Sequence, residues 1–168
     1  AEPERLVMLW ETRPDRGLAN NVVSAANYID WRARTTSFDA ISALLFLTLS
    51  LTGAGDPEQV RTQLVTEDFF PMLGVSMAQG RSFTADECKP AAPGTAILSD
   101  ALWRRKFSAD PSIVGRAIRL NSEAVTVVGI APPGVLPLGN RAPDLWRAIS
   151  VRGVNANGTR ASGRNFSV

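Results

Sequence analysis

The chain has 168 residues, 18 of them Lys or Arg and 16 Asp or Glu, and a formal net charge of +2, too weak a field to imply nucleic-acid binding. Hydrophobic residues at 45% and charged residues at 20% describe a chain that buries a core rather than a disordered one. With no histidine and one cysteine, Cys88, it excludes serine–histidine and cysteine–histidine catalysis, an internal disulfide and a structural zinc site.

The start, AEPERLVML, has neither an initiator Met nor a signal-peptide pattern, as expected of a processed or excised segment. RLVMLWET (Arg5 to Thr12) is nearly all apolar and predicts a strand buried on both faces. RPDRGLANN (Arg13 to Asn21) reads as a loop from its Pro, Gly and Asn content. Ser24 then predicts the N-cap of a helix, AANYIDWRAR, with Ala25, Tyr28 and Trp31 on one face. From Leu47 to Thr52 apolar and polar residues alternate, which predicts a strand with one buried face. GAGDPE is a turn, and QVRTQLV alternates again, so the two segments predict an antiparallel hairpin. The apolar run ALLFLTLSL falls well short of the ~20 residues that cross a bilayer.

Thr66 predicts the cap of a short helix, EDFFPML, with Glu67 and Asp68 in its first turn and Gly74 at its left-handed end. VSMAQGRSF reads as a connection with Gly80 at a turn, and Thr84 with Glu87 as a capping box that opens a very short helix. GTAILS predicts a strand running into Ser99, the cap of helix DALWRRKF, whose Trp103 and Phe107 share a side. RAIRL and EAVTVVGI flank NS, a tight hairpin turn. A Pro/Gly-rich loop, APPGVLPLGNRAP, precedes a last strand, DLWRAI; beyond it come a soft tail and RNFSV, one more strand candidate.

No residues qualify as catalytic, cofactor-binding or metal-binding. Glycines are scattered at turns, with no GxGxxG or P-loop spacing. The acid pairs Glu67/Asp68 and Asp86/Glu87 sit where helix capping accounts for them. The cations Arg104, Arg105 and Lys106 read as a solvated helix face; an anion or lipid-headgroup contact stays open. Tyr28 with Trp31 fits a core face better than a carbohydrate platform. Cys88 reads as a tolerated free thiol.

The order of phrases carries more. PERLVMLWETRP, NYIDWRARTTSFDAISA, LTG, PEQVRTQLVTEDFFPMLGVSMAQGRSF, AILSDALWRRKFSADPSIVGRAIRLNSEAVTVVGIAPPG and DLW follow one another between Pro3 and Trp146. In that order and spacing they resemble the MacB-like periplasmic core domain of FtsX/MacB-type ABC transporter permeases, closest in flavour to large orphan permeases of acidobacterial type. Ser24, Ala25 and Ala26 stand where that pattern often has a proline.

The resemblance implies a mixed α/β (α+β) fold. A porter-like strand–helix–strand part would occupy residues 1–80, an inserted β-rich, sabre-like part 81–150, and a tail leading into a return strand 151–168. The family domain continues past RNFSV, so an exposed edge strand and modest stability are expected of this piece. The implied function is non-catalytic coupling of cytoplasmic ATP hydrolysis to conformational change on the extracytoplasmic side of the bacterial cytoplasmic membrane. No cofactor is implied. Implied partners are the transmembrane helices of the same permease, a separate ABC ATPase subunit or domain, a sister permease copy and an envelope partner protein, with no nucleic acid. The alternatives are a secreted glycan- or peptide-binding module, and a histidine-free glycosidase needing two converging acids about 5–10 Å apart.

Overall fold

The computed structural model describes residues 5–13, 18–21, 23–135, 138 and 142–151. A short hairpin comes first, β1 (Glu11–Arg13) against β2 (Leu18–Asn21), antiparallel with an irregular register. The expected strand over residues 5–12 therefore shrinks to its last residues. A strand needs a partner for its backbone, and residues 6–10 have no ladder among the described residues. Instead Leu6 and Leu9 pack inward while Val7, Met8 and Trp10 stay exposed. The expected loop after it holds β2, whose Asn-rich sequence carries no strand signal.

Helix α1 (Ala25–Arg34) matches its sequence reading at both ends. Ser24 Oγ accepts from the Asn27 N–H at 3.2 Å, and the Glu11 carboxylate takes the Ser24 N–H at 2.7 Å and the Asn27 amide at 2.6 Å. The helix start is thus tied to β1. Its inner face, Ala25 and Tyr28 with half-buried Trp31, packs on Val23, Ile41, Ala43, Ile149 and Val151.

The main sheet uses β3 (Leu44–Thr52), β4 (Glu58–Val65), β5 (Gln79–Gly80), β6 (Thr95–Leu98), β7 (Ala117–Leu120), β8 (Glu123–Ile130) and β9 (Leu145–Ala148). Their order is β5-β8-β6-β9-β4-β3-β7, and β7 also pairs with β8. That last pairing closes β8, β6, β9, β4, β3 and β7 into a ring. In it the β3–β4 pair, from before residue 80, stands between β9 and β7, from after it. Both expected hairpins form: β3–β4 in register from Leu44↔Val65 to Leu51↔Glu58, and β7–β8 across Asn121 and Ser122. Those two residues have φ of 47° and 69°, as a two-residue primed turn demands.

The sheet has a core on each face. Alternation along β6 and β9 sends Leu98 and Leu145 to one and Ile97 and Trp146 to the other. The first core is filled by Leu102 and Trp103 of α3 (Asp100–Phe107), capped by Ser99 Oγ as its sequence predicts. A single 3-10 turn, Pro111–Ile113, leads out of it. The second core takes Phe69, Phe70 and Leu73 from the one-turn helix α2 (Phe69–Met72), which Gly74 at φ +64° terminates.

Three local expectations give way. Thr66 does not cap α2; Asp68 holds that position without a side-chain bond, so Glu67 and Asp68 precede the helix. The Thr66 hydroxyl instead accepts the Ala43 N–H at 3.1 Å, drawn in by a buried polar cluster with Ser42 and Tyr28. The Thr84–Glu87 segment forms turns and no helix, although Glu87 does accept the Thr84 N–H at 2.8 Å. Gly80 lies in β5, opposite Gly129 of β8. A Cβ on Gly80 would stand 2.3 Å from the Val128 carbonyl oxygen, and one on Gly129 would stand 2.5 Å from that of Arg81. Only glycine lets these backbones approach so closely. The tail from Arg152 and the RNFSV strand expectation lie outside the described residues.

Candidate functional site

The basic helix face is tied down by acids. Arg104 reaches back one turn to Asp100 at 2.9 Å and lies 5.7 Å from the Trp103 ring centroid. Arg105 bonds Glu58 at 2.5 Å and Asp144 at 3.4 Å; Lys106 donates to the Asp56 carbonyl at 2.6 Å. Asp56 and Glu58 belong to the β3–β4 turn and the start of β4. Arg105 and Lys106 therefore dock α3 onto the hairpin, and with Arg104 paired inside the helix the three do not form an open stripe for phosphates.

Asp144, which sequence reading passed over, is the hub of this contact. Its carboxylate accepts the Arg61 backbone N–H at 2.8 Å and the Arg61 guanidinium at 3.1 and 3.3 Å. Burial opposes its ionisation, but the Arg61 hydrogen bonds outweigh it and hold the carboxyl below the usual range.

Arg32 on α1 bridges Glu67, at 2.8 Å, and Asp68. Burial raises both carboxyls. At Glu67 a backbone hydrogen bond and Arg32 reverse the shift, whereas Asp68 stays above its ordinary value. Two carboxyls pushed apart resemble an acid–base pair, but these line different grooves, Asp68 one and Glu67 the other. Asp86 pairs with Lys89 at 2.6 Å and Glu87 with Arg81 at 2.8 Å. Among the described residues no group of three or more His, Cys, Asp or Glu is placed to hold a metal ion.

Tyr28 belongs to the core, its hydroxyl donating to the Ile41 carbonyl or Thr66 at 3.3 Å, so the Tyr28/Trp31 pair is not an open platform. Cys88 lines the groove of about 370 Å³ that also holds Glu67. Burial, reinforced by the Glu67 charge, pushes its thiol up to about 12. Only the thiolate alkylates readily, so Cys88 is expected to resist iodoacetamide at pH 8 in the native protein and to react once urea unfolds it. Equal rates in both states would contradict this burial.

The feature of the surface with the character of a binding site is a groove of about 540 Å³ between the Arg5–Leu9 segment and the Phe38–Ser42 segment, floored by Leu44, Pro71 and Met72. Its lining is chiefly apolar, with Arg5, Asp39 and Asp68 as charges, and it includes the exposed side chains of Val7, Met8 and Phe38. The apolar run at 5–12 signals this groove in hindsight: it supplies a wall, not a buried strand. No helix among the described residues is long and apolar enough to cross a membrane.

Compared with known proteins, residues 2–164 match the family described as MacB-like periplasmic core domain. The macrolide export ATP-binding/permease protein MacB of Sodalis glossinidius is 33% identical over 100 residues, covering 59% of this chain and 15% of that protein. The MacB of Chromobacterium violaceum is 29% identical over 86 residues, covering 51% and 13%. The chain thus aligns with only a small part of each relative. Among solved structures, the periplasmic region of MacB from Actinobacillus actinomycetemcomitans superposes with TM-score 0.65 at 13% identity, over 95% of this chain and 70% of that one. The extracellular domain of the noncanonic ABC-type transporter YknZ from Gram-positive bacteria gives 0.66 at 10% identity, over 95% and 79%. At such identities the agreement is one of fold, and it matches the mixed α/β class expected from the sequence.

Proposed function

The chain belongs to the family of MacB-like periplasmic core domains, and from that premise we propose that it is the extracytoplasmic domain of an ABC transporter permease. The observation that carries this reading is the family match over residues 2–164. In it the domain is a non-catalytic mechanical part: ATP bound and hydrolysed by a cytoplasmic ATPase moves the permease helices, and those helices move this domain. The structure suits that role. A closed ring of strands filled by α3 and buttressed by the Asp144 contacts passes force as a body rather than yielding locally. The apolar groove is where a cargo or envelope partner would dock.

Two measurements test the reading. The reading frame around the segment is expected to encode apolar spans of about 20 residues on both sides. In vesicles carrying the whole permease and its ATPase, deleting this domain should leave ATP hydrolysis measurable and abolish export. A cleaved signal peptide upstream with a stop codon directly downstream would overturn it. The apolar groove favours a second reading in that case, a secreted peptide- or glycan-binding module.

A further inference from the structure

The two walls of the apolar groove are held in different ways. The Phe38–Ser42 wall is fixed at its inner end. Ile41 is buried against α1, and Ala43 just beyond the wall exchanges two bonds with Thr66. Its N–H donates to the Thr66 hydroxyl at 3.1 Å, and its carbonyl accepts the Thr66 N–H at 3.2 Å. The opposite wall has no such tie. Among the described residues no backbone hydrogen bond holds residues 6–10. Their attachments are two half-buried leucines, Leu6 on the second core and Leu9 on the cluster under α1. Beside them Arg5 pairs with Asp39 at 2.9 Å, both side chains exposed, and such a pair contributes little. Val7, Met8 and Trp10 face solvent.

The chain becomes firm at Glu11. That residue pairs with Asn21 in the first hairpin, and its carboxylate takes the Ser24 N–H and the Asn27 amide at the start of α1. We propose that Arg5–Trp10 is a hinged strap. It swings away from the groove about Glu11 while the sheet and its two cores stay folded, so the groove is gated by its own N-terminal wall. Local opening selects the parts of a fold with little buried apolar contact and few backbone bonds. This segment has neither a ladder nor a fully buried side chain. Its opening gives up two half-buried leucine contacts and a solvent-screened ion pair and breaks no strand pairing. It uncovers the groove floor, whose Leu44 is 3% exposed with the strap in place. One consequence rests on the permease reading: movement arriving along the chain ahead of Arg5 meets the groove wall before it meets the sheet. The strap itself does not depend on that reading.

The test is iodoacetamide labelling of single thiols in the 168-residue chain carrying Cys88→Ser. Two reporters on β3 are compared, Leu44→Cys in the groove floor and Leu51→Cys in the first core, where Leu51 is 0% exposed. Leu44→Cys is expected to react about tenfold faster or more, with little dependence on urea. Leu51→Cys should react only through global unfolding, and steeply with urea. Leu9→Ala loosens one anchor and should speed Leu44→Cys about threefold or more beyond any change at Leu51→Cys. Met72→Cys, from α2 in the same floor, is read in the same way if Leu44→Cys fails to fold; circular dichroism and melting decide which variants fold. Three outcomes would overturn the proposal. Protection of Leu44→Cys equal to that of Leu51→Cys, with the same urea dependence, makes the strap part of the global unit. Labelling at the rate of the urea-unfolded chain leaves no closed state. A fast rate that Leu9→Ala leaves unchanged in a folded chain places the opening elsewhere.

Discussion

Trp146→Ala is expected to lower the unfolding free energy by about 3–5 kcal/mol, the range for deleting a large buried aromatic. Trp146 is 2% exposed and stands in the second core, 5.2 Å centroid to centroid from Phe70 in an edge-on arrangement. Its indole N–H donates to Gln63 Oε1 at 2.8 Å, and Gln63 is itself 1% exposed. The substitution therefore opens a cavity and strands a buried amide oxygen at once. Trp146→Phe separates the two effects: it refills most of the cavity and leaves Gln63 unsatisfied, so its loss should fall between wild type and alanine. Urea titration followed by circular dichroism measures both. A loss under about 1 kcal/mol for the alanine variant would mean that this core is not packed as described.

Asp144→Ala comes second, at an expected cost of about 2–3 kcal/mol, set by a charge-assisted hydrogen-bond network whose acceptor is buried. The value stays below that of a fully buried ion pair because Arg61 and Arg105 are half exposed and regain water when the acid is lost. The contact is also titratable. In the folded chain the Asp144 carboxyl lies below its ordinary value: burial raises it, and the Arg61 side chain and backbone N–H more than reverse that. Its stabilisation is therefore complete above the unfolded-state carboxylate pKa of about 3.9 and is lost as pH falls through the lower folded value. Wild type should lose stability more steeply than Asp144→Asn below about pH 4, and the two curves should run parallel from pH 6 to 8. Parallel curves throughout the acid range would show that the carboxylate is not held by Arg61.

Much of the local structure is legible in the sequence, because its causes lie within a few residues. Ser24 and Ser99 each stand before a helical pattern and each cap the helix that follows. Alternation marks β3 and β4, and a two-residue turn at Asn121 and Ser122 marks the β7–β8 hairpin. The absence of histidine removes whole classes of chemistry before any coordinate is known, and the ordered phrases between Pro3 and Trp146 carry the family. Misreadings occur where a distant partner decides. Residues 5–12 have the composition of a strand, but backbone pairing needs a neighbour, and they became a groove wall. Thr66 has the chemistry of a cap, yet buried Ser42, Ala43 and Tyr28 offered its hydroxyl a better use.

By itself the sequence determined the family, the capped helices, the hairpins and the chemistry that is excluded, all of which follow from residue type and short spacing. Only the tertiary structure decided that β7 closes the sheet on β3, that Asp144 gathers Arg61 and Arg105, that Cys88 lies half-buried beside Glu67, and where the groove lies. Each of these joins residues 21 or more positions apart in the chain or depends on which surfaces are left uncovered, as with Cys88 and Glu67. Local propensity carries no information about such meetings, because the free energy that selects them comes from burial and hydrogen-bond satisfaction across the whole fold.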